Sequence, residues 1–346
     1  IYGTRQSGNL KEAVKGISNP KLILLLSNQE KFKEHVAELA ELYPGVPSIG
    51  CVGMSYASKV TEKGVSVVAF SDVTVAANII EQASIMPVKY ISRLEEDLRK
   101  VGASERDTVC IDFCTGNDAC VLTTMYSVLG RQKISLMGGT GDAGMVSLNG
   151  TVYQDAAVYA LVKSTGKVKV YKENLYQPLS DYRFVASKTN REKYVLGELN
   201  GKAAKQVYQD SLHIAEKDIV NQTFKNPLGK MNGQDVCIIS IKEVEGNSLC
   251  CYRQVNDSDV LTLLQVQDYK EIAENTVSRI KADFTHISGV FSVNCVFRYL
   301  LFSQEHNMDD YLNTMGKLGN HAGFIGFGEH YNHQFVNQTM TCVVFE

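Results

Sequence analysis

Lys133-Ile134-Ser135-Leu136-Met137-Gly138-Gly139-Thr140-Gly141-Asp142 is the stretch on which the reading of the fold turns. An apolar run of strand character ends in three glycines around one threonine, followed by an aspartate. Glycine lets the backbone take positive φ or approach another group closely. No side chain then crowds the space above the turn, which backbone N–H groups, Thr140 and Asp142 can share with a small ligand. A plain strand-to-strand turn satisfies the same pattern.

The outline recurs. Ser48-Ile49-Gly50-Cys51-Val52-Gly53-Met54 has the same apolar-Gly-x-x-Gly form, and Phe324-Ile325-Gly326-Phe327-Gly328-Glu329 again carries an apolar run into glycines and an acid. A strand-like and a helix-like run precede each: Leu22–Leu26 and Lys31–Leu42, Val109–Phe113 and Asp118–Leu129, Gly289–Val293 and Cys295–Phe302. Another strand-like run follows each: Val65–Phe70, Ala156–Val162 and Thr339–Phe345. The order is a β-α-β-Gly-β unit met three times. It predicts an α/β fold of mixed sheets with flanking helices, built from these repeated units in two halves, with the glycine turns meeting in one cleft between the halves. The polar stretch Lys188–Tyr194 places the division between an N-terminal domain, 1–190, and a C-terminal domain, 191–346.

Local patterns fill in the outline. Phe32, Val36, Leu39 and Leu42 recur at helical spacing, with His35 on the same side as a packed core-edge histidine. Lys167-Val168-Lys169-Val170-Tyr171 alternates bases and apolar residues, as a half-exposed strand does. Asn117 and Asp118 stand at a predicted helix N-terminus, where they satisfy the unpaired backbone donors or leave them to an anion.

Composition narrows the class. The chain has 346 residues, 44% hydrophobic and 21% charged, and a chain of this length buries about 75% of its unfolded surface without a metal or disulfide staple. The net charge is −3 and the 35 basic residues are scattered, which argues against nucleic acid and anionic membrane as partners. Apolar runs such as Leu22–Leu26 are far too short to cross a bilayer. Nine cysteines show neither framework spacing nor a CxxC, which points to a reducing, cytoplasmic compartment and away from a zinc knuckle. Cys110, Cys120, Cys237 and Cys342 read as small apolar core residues.

The run Asp107–Val162, with its Gly-Gly-Thr-Gly-Asp turn and Tyr153-Gln154-Asp155-Ala156-Ala157-Val158, resembles the N-terminal part of the FIST family of sensory domains. Ile49-Gly50-Cys51-Val52-Gly53 is similar to that family's earlier Ile-Gly-Cys-Ser-x-x-Gly turn, with Val52 in place of the usual serine; Thr140 also replaces a serine but keeps a hydroxyl. Leu196–Ala204, Asn226-Pro227-Leu228-Gly229, Asn294-Cys295-Val296-Phe297-Arg298, Gly323–Glu329 and Asn337-Gln338-Thr339 resemble the C-terminal half. The resemblance spans residues 20–346. It implies an intracellular module that binds a small ligand such as an amino acid and feeds a kinase, cyclase or chemotaxis transducer. Some members bind haem and respond to nitric oxide. No output domain follows Glu346, so the resemblance implies a sensor cut from a longer protein or one acting through a partner.

Three chemistries are open. In a ligand sensor without a cofactor or metal, the site residues are Cys51, Gly53, Gly139, Thr140, Gly141, Asp142, Asn294, Cys295, Arg298, Gly328, Glu329 and Asn337. Arg298 then clamps a carboxylate with two parallel hydrogen bonds, and Asp142 or Glu329 receives an ammonium. A salt bridge from Arg298 to either acid is the structural alternative. A haem sensor needs an axial ligand in an apolar pocket, drawn from His213, His286, His306, His321, His330 or His333. Glu329-His330-Tyr331-Asn332-His333 offers ligands to a metal, but a polar loop with two histidines is more often simply solvated. An enzyme would use Cys295, its pKa lowered at a helix start and Glu329 or His330 beside it; the Gly-x-Ser-x-Gly elbow is absent.

Overall fold

The computed structural model describes residues 3–116, 118–233 and 235–346, so Asn117 lies outside the described residues. The chain forms two compact units. The first comprises residues up to Glu173 with Ala273–Tyr299 and His306–Glu346; the second comprises Asn174–Ile272 and Leu300–Glu305. Lys188–Tyr194 is the tip of a hairpin within the second unit, where Asn190 pairs with Val195 and Ala186 with Leu199.

Among the described residues the first unit holds three six-stranded sheets. In each, one strand pairs parallel with the strand beyond its helix and antiparallel with a later one. Leu22–Ser27 lies between Ser48–Val52 and Val65–Phe70. Thr108–Cys114 lies between Ser135–Thr140 and Ala156–Ser164. Gly289–Cys295 lies between His321–Gly326 and Thr339–Phe345. The architecture is α/β with mixed and antiparallel sheets.

These central strands are buried along their whole length, which is why they read as unbroken apolar runs rather than alternations. One face of each sheet enters a common core that joins Leu24, Ile49 and Val68 to Ile111, Phe113 and Val158 and to Phe291, Val293 and Phe324. Phe113 meets Phe324 edge-on at a centroid distance of 5.5 Å. Helices cover opposite faces. Phe32–Leu42 buries Phe32, His35, Val36 and Leu39, and Leu94, Leu98, Val121 and Met125 of Ile91–Val101 and Asp118–Leu129 pack on Cys110, Leu136, Tyr159 and Leu161. Among the described residues the second unit holds a nine-stranded sheet, largely antiparallel, with short helices, and Phe184, Leu196, Tyr208, Ile219, Leu249 and Leu263 form its own core. No helix among the described residues is long and apolar enough to cross a membrane.

The glycines of the opening stretch differ from expectation. The strand Ser135–Thr140 does not end at them but runs through Gly138 and Gly139. Close approach explains their presence. A Cβ on Gly138 would collide with the carbonyl and carboxylate oxygens of Asp112, its partner in the parallel pair. One on Gly139 would lie 2.5 Å from the Gly328 carbonyl oxygen, and one on Gly141 2.9 Å from that of Val52. Near the N-terminus, Gly3–Ser7 forms a strand and Leu10–Ala13 a single helical turn.

Gly138→Ala is therefore expected to cost about 3 kcal/mol or more, the upper range for overpacking a core. Gly316→Ala, where a Cβ meets nothing within 4 Å, should leave stability nearly unchanged. Urea midpoints compare the two directly, and equal midpoints would refute the close approach.

Candidate functional site

The three glycine turns meet, and they do so inside the first unit. Thr140 N–H donates to Gly328 C=O at 2.9 Å and Phe327 N–H to Thr140 C=O at 2.9 Å. Ile325 N–H donates to Met54 C=O at 2.8 Å, and Gly141 N–H to Cys114 C=O at 3.1 Å. Cys51 and Val52 pack against Gly141, and Gly53 against Phe324 and Ile325. The meeting point is the carboxyl end of the parallel strands, where open α/β sheets bind ligands.

Glu329–Tyr331 pairs with Ser135–Thr140, placing Glu329 opposite Gly139 and His330 opposite Gly138. Strand alternation sends the two side chains to opposite faces of the sheet. On the helix-covered face, His330 Nδ1 lies 2.7 Å from Asp112 Oδ2 and its Nε2 lies 3.0 Å from Asp118 Oδ1. Thr140 Oγ1 donates to the same Asp118 oxygen. Burial opposes a charge on His330, but the charges and hydrogen bonds of Asp112 and Asp118 outweigh it and raise its pKa to about 10. It is an imidazolium at neutral pH. Burial also works against the Asp118 carboxylate, yet His330 and Thr140 hold it below its usual range. Burial pushes Asp112 upward, with His330 opposing.

On the core face, Glu329 Oε2 accepts from Thr339 N at 3.2 Å and Thr339 Oγ1 at 2.8 Å. Burial raises its pKa to about 8, so Glu329 is a neutral acid at pH 7. Burial and the neighbouring Glu329 drive the Cys295 thiol well above its normal range. The lowered pKa expected at this helix start is thus reversed. Cys295 is a protonated core thiol, because loss of solvent costs a thiolate more than a helix end returns.

Arg298 is fully buried and forms its ion pair with Glu173, not with Asp142 or Glu329. Its Nε donates to Asn294 Oδ1 at 2.9 Å, and its guanidinium lies 5.0 Å from the Tyr311 ring centroid. Asn294 continues the network to the Tyr56 hydroxyl at 2.9 Å, and from there it reaches Ser292 and His321. Asp142 faces solvent, its carboxylate accepting from Ala143 N–H at 2.6 Å. The expected trio of Arg298, Asp142 and Glu329 is therefore not assembled around one point.

Among the histidines weighed for haem, His213, His286, His306 and His333 are exposed. His321 is buried and burial holds its pKa down at about 4, while both ring nitrogens of His330 face carboxylates. Glu329 and His330 are fully buried in a strand, which corrects the reading of 329–333 as a solvated loop. Among the described residues no cluster of three or more His, Cys, Asp or Glu has the geometry to hold a metal. Cys120 is exposed and Cys237 half-buried, so neither is the core residue its pattern suggested.

Sequence reasoning passed over Asp112, Glu173 and the role of His330. Asp112 did carry a signal: a lone carboxylate inside Val109-Cys110-Ile111-Asp112-Phe113 has to be paired when the strand is buried on both faces. Glu173 carried none, since its neighbours alternate like a half-exposed strand.

The shifted groups set a pH profile. Asp118, held low, stabilises the fold above pH 3.8, and this contribution is lost as pH falls through its folded value. His330 contributes fully below about pH 6.5, and its contribution is lost as pH rises through about 10. Glu329 stays protonated up to about pH 8 while the unfolded chain ionises near 4.5, so it too erodes stability over that interval. Urea unfolding should show greatest stability near pH 5 and a decline of a few kcal/mol toward pH 10. Glu329→Gln should flatten the limb between pH 4.5 and 6.5, lessen the slope from there to pH 8 and leave the limb above it; an unaltered profile would contradict the neutral acid.

A family model of the FIST N domain matches residues 21–202, and one of the FIST C domain matches residues 204–332. A search of curated proteins finds no match.

Proposed function

We propose that this chain, which belongs to the FIST family of sensory domains in signal transduction, senses a small polar metabolite, an amino acid or a close analogue, where its glycine turns meet. The observation that carries this reading is a pair of buried polar atoms beside those turns. Asn337 Nδ2 has no hydrogen-bond partner in the protein, and Glu329 Oε1 has only the weakly bonding Cys295 thiol beside it; an unpaired buried donor costs about 1–3 kcal/mol. A neutral Glu329 has an O–H to donate and Asn337 an N–H, so together they suit an acceptor such as a carboxylate. Asp118, whose side chain is 13% exposed beside Thr140 on the opposite face of the sheet from Glu329, suits the ammonium of a ligand that reaches round the end of the strand Ser135–Thr140. Arg298 serves as a brace, its charge already met by Glu173.

Further parts of the reading follow from the same architecture. The three segments are copies of one β-α-β-Gly-β unit. In support, Leu25, Asp112 and Ser292 of the first strands each face a glycine (Gly50, Gly138 and Gly323) whose Cβ would strike the partner's carbonyl oxygen. The chain acts in the cytoplasm and passes its signal to an output domain or partner such as a kinase or chemotaxis transducer. It is not an enzyme; the protonated Cys295 thiol supports that view.

Thermal shift against a panel of amino acids and small acids tests the proposal. A ligand at 100 times its dissociation constant should stabilise the fold by about 2.7 kcal/mol, a rise of a few degrees. Thr140→Val and Asn337→Ala should abolish the shift. Arg298→Ala should lower the baseline stability by about 3–5 kcal/mol, the cost of stranding a buried partner charge, with ligand shifts intact. Shifts that persist in both Thr140→Val and Asn337→Ala, or vanish only in Arg298→Ala, would overturn the site.

A further inference from the structure

We propose that the ligand at the glycine turns is an α-amino acid with an apolar side chain, of the leucine or phenylalanine class, and that Phe327 is the residue that selects it. The inference rests on the proposal that the turns bind an amino acid, and it names the side chain which that proposal leaves open. Phe327 stands between Gly326 and Gly328 with 49% of its surface exposed. Single exposed apolar residues are ordinary on a protein surface. Two observations set this one apart. Of the exposed large apolar residues among the described ones, Phe327 alone lies in a glycine turn. Its backbone is also tied directly to Thr140.

Thr140 C=O accepts from Phe327 N–H, while Thr140 N–H donates to Gly328 C=O, each at 2.9 Å. From the next residue the ladder is regular, with Glu329 opposite Gly139. Two residues thus oppose one, the pattern of a β-bulge, which breaks the pleat and re-aims a side chain. A strict period of two would send Phe327 into the core with Glu329, whereas its ring stands half in water. The flanking glycines hold this course. A Cβ on Gly326 would lie 2.8 Å from Val293 Cγ1, and one on Gly328 would strike the Phe335 ring. A rigid turn therefore delivers a phenyl ring to the end of the strand Ser135–Thr140. A ligand that joins Asn337 and Glu329 on one face to Asp118 on the other must round that same end. With its carboxylate and ammonium so placed, the side chain is the one part of an α-amino acid left without a partner. A polar side chain would lose water against the ring and gain no hydrogen bond there. An apolar one would cover the exposed half, on the order of 100 Å² of apolar surface, against a backbone already held in place.

Titration calorimetry of the whole chain with leucine, phenylalanine, alanine and serine tests the inference. Leucine and phenylalanine should bind about tenfold more tightly than alanine and serine, or better. Phe327→Ala should bring all of them to within about threefold of one another, by weakening the two apolar ligands and sparing alanine and serine. Phe327→Gln should act in the same way and serves if Phe327→Ala fails to fold, while Phe327→Leu should keep the preference. The ratio between ligands is the readout, because a general loss of stability would weaken all of them alike. Leucine and phenylalanine bound no more tightly than alanine, or a preference that survives both Phe327→Ala and Phe327→Gln, would overturn the role of Phe327. In that event the site at the turns would still stand, provided that Thr140→Val abolishes binding. No binding by any of the probes would overturn the amino-acid reading itself, and this inference with it.

Discussion

A buried imidazolium between two carboxylates ties this fold together. His330 reaches Asp112, 218 residues earlier, through one ring nitrogen and Asp118 through the other. All three lie in the first unit, and removing any one would strand a charge without water, the costly way to break a buried ion pair. Much of the neighbourhood follows from this contact. Because His330 must face the helix-covered side of its sheet, the period of two along a strand sends Glu329 into the common core. There its charge has no cation in hydrogen-bonding contact, and it remains protonated at pH 7. Because the Asp112 carboxylate lies over the next strand, that strand must carry a glycine at position 138.

Three buried histidines show how partner chemistry, not burial, decides charge. Each bonds a polar residue on the first strand of its segment: His35 with Ser27 at 2.7 Å, His330 with Asp112 at 2.7 Å, and His321 with Ser292 at 2.7 Å. All three lose solvent, which by itself disfavours the cation. His35 and His321 meet hydroxyls and their pKa values are lowered, whereas His330 meets carboxylates and its pKa rises. The expectation that His35 packs at the core edge agrees with its burial within Phe32–Leu42.

Order along the chain was legible because buried strands and amphipathic helices differ in hydrophobic period. The strand, helix and glycine-bearing strand of each segment could be placed to within a few residues, and the meeting of the turns followed from their matching order. Partners were not legible, because they are chosen by contacts between distant elements. Arg298 and Glu173 are 125 residues apart, and nothing local to either names the other. Local chemistry misled in two places. Asp142 shares a turn with the site residues but caps its own backbone and faces water, while Asp118, read only as a helix-end residue, holds the hydroxyl of Thr140. Cys295 sits at a helix start, yet burial and Glu329 outweigh the helix end.

The charges of the first unit are distributed in a way that bears on where recognition takes place. Arg298 and Glu173 neutralise each other with both side chains out of solvent. Glu329 avoids the problem by remaining protonated at neutral pH. In the remaining trio His330 is held positive and Asp118 negative, while burial pushes Asp112 toward its neutral form. A surplus charge is tolerable only where water or a counter-charge can reach it. Of the three, only Asp118 has an exposed side-chain fraction above zero, 13% against 0% for His330 and Asp112. The carboxylate of the three that meets water is therefore Asp118, at the rim of the glycine turns, held in position by His330 and Thr140. A fixed carboxylate of this kind loses little freedom when a cationic group docks, which is the physical ground for proposing it as an ammonium's partner.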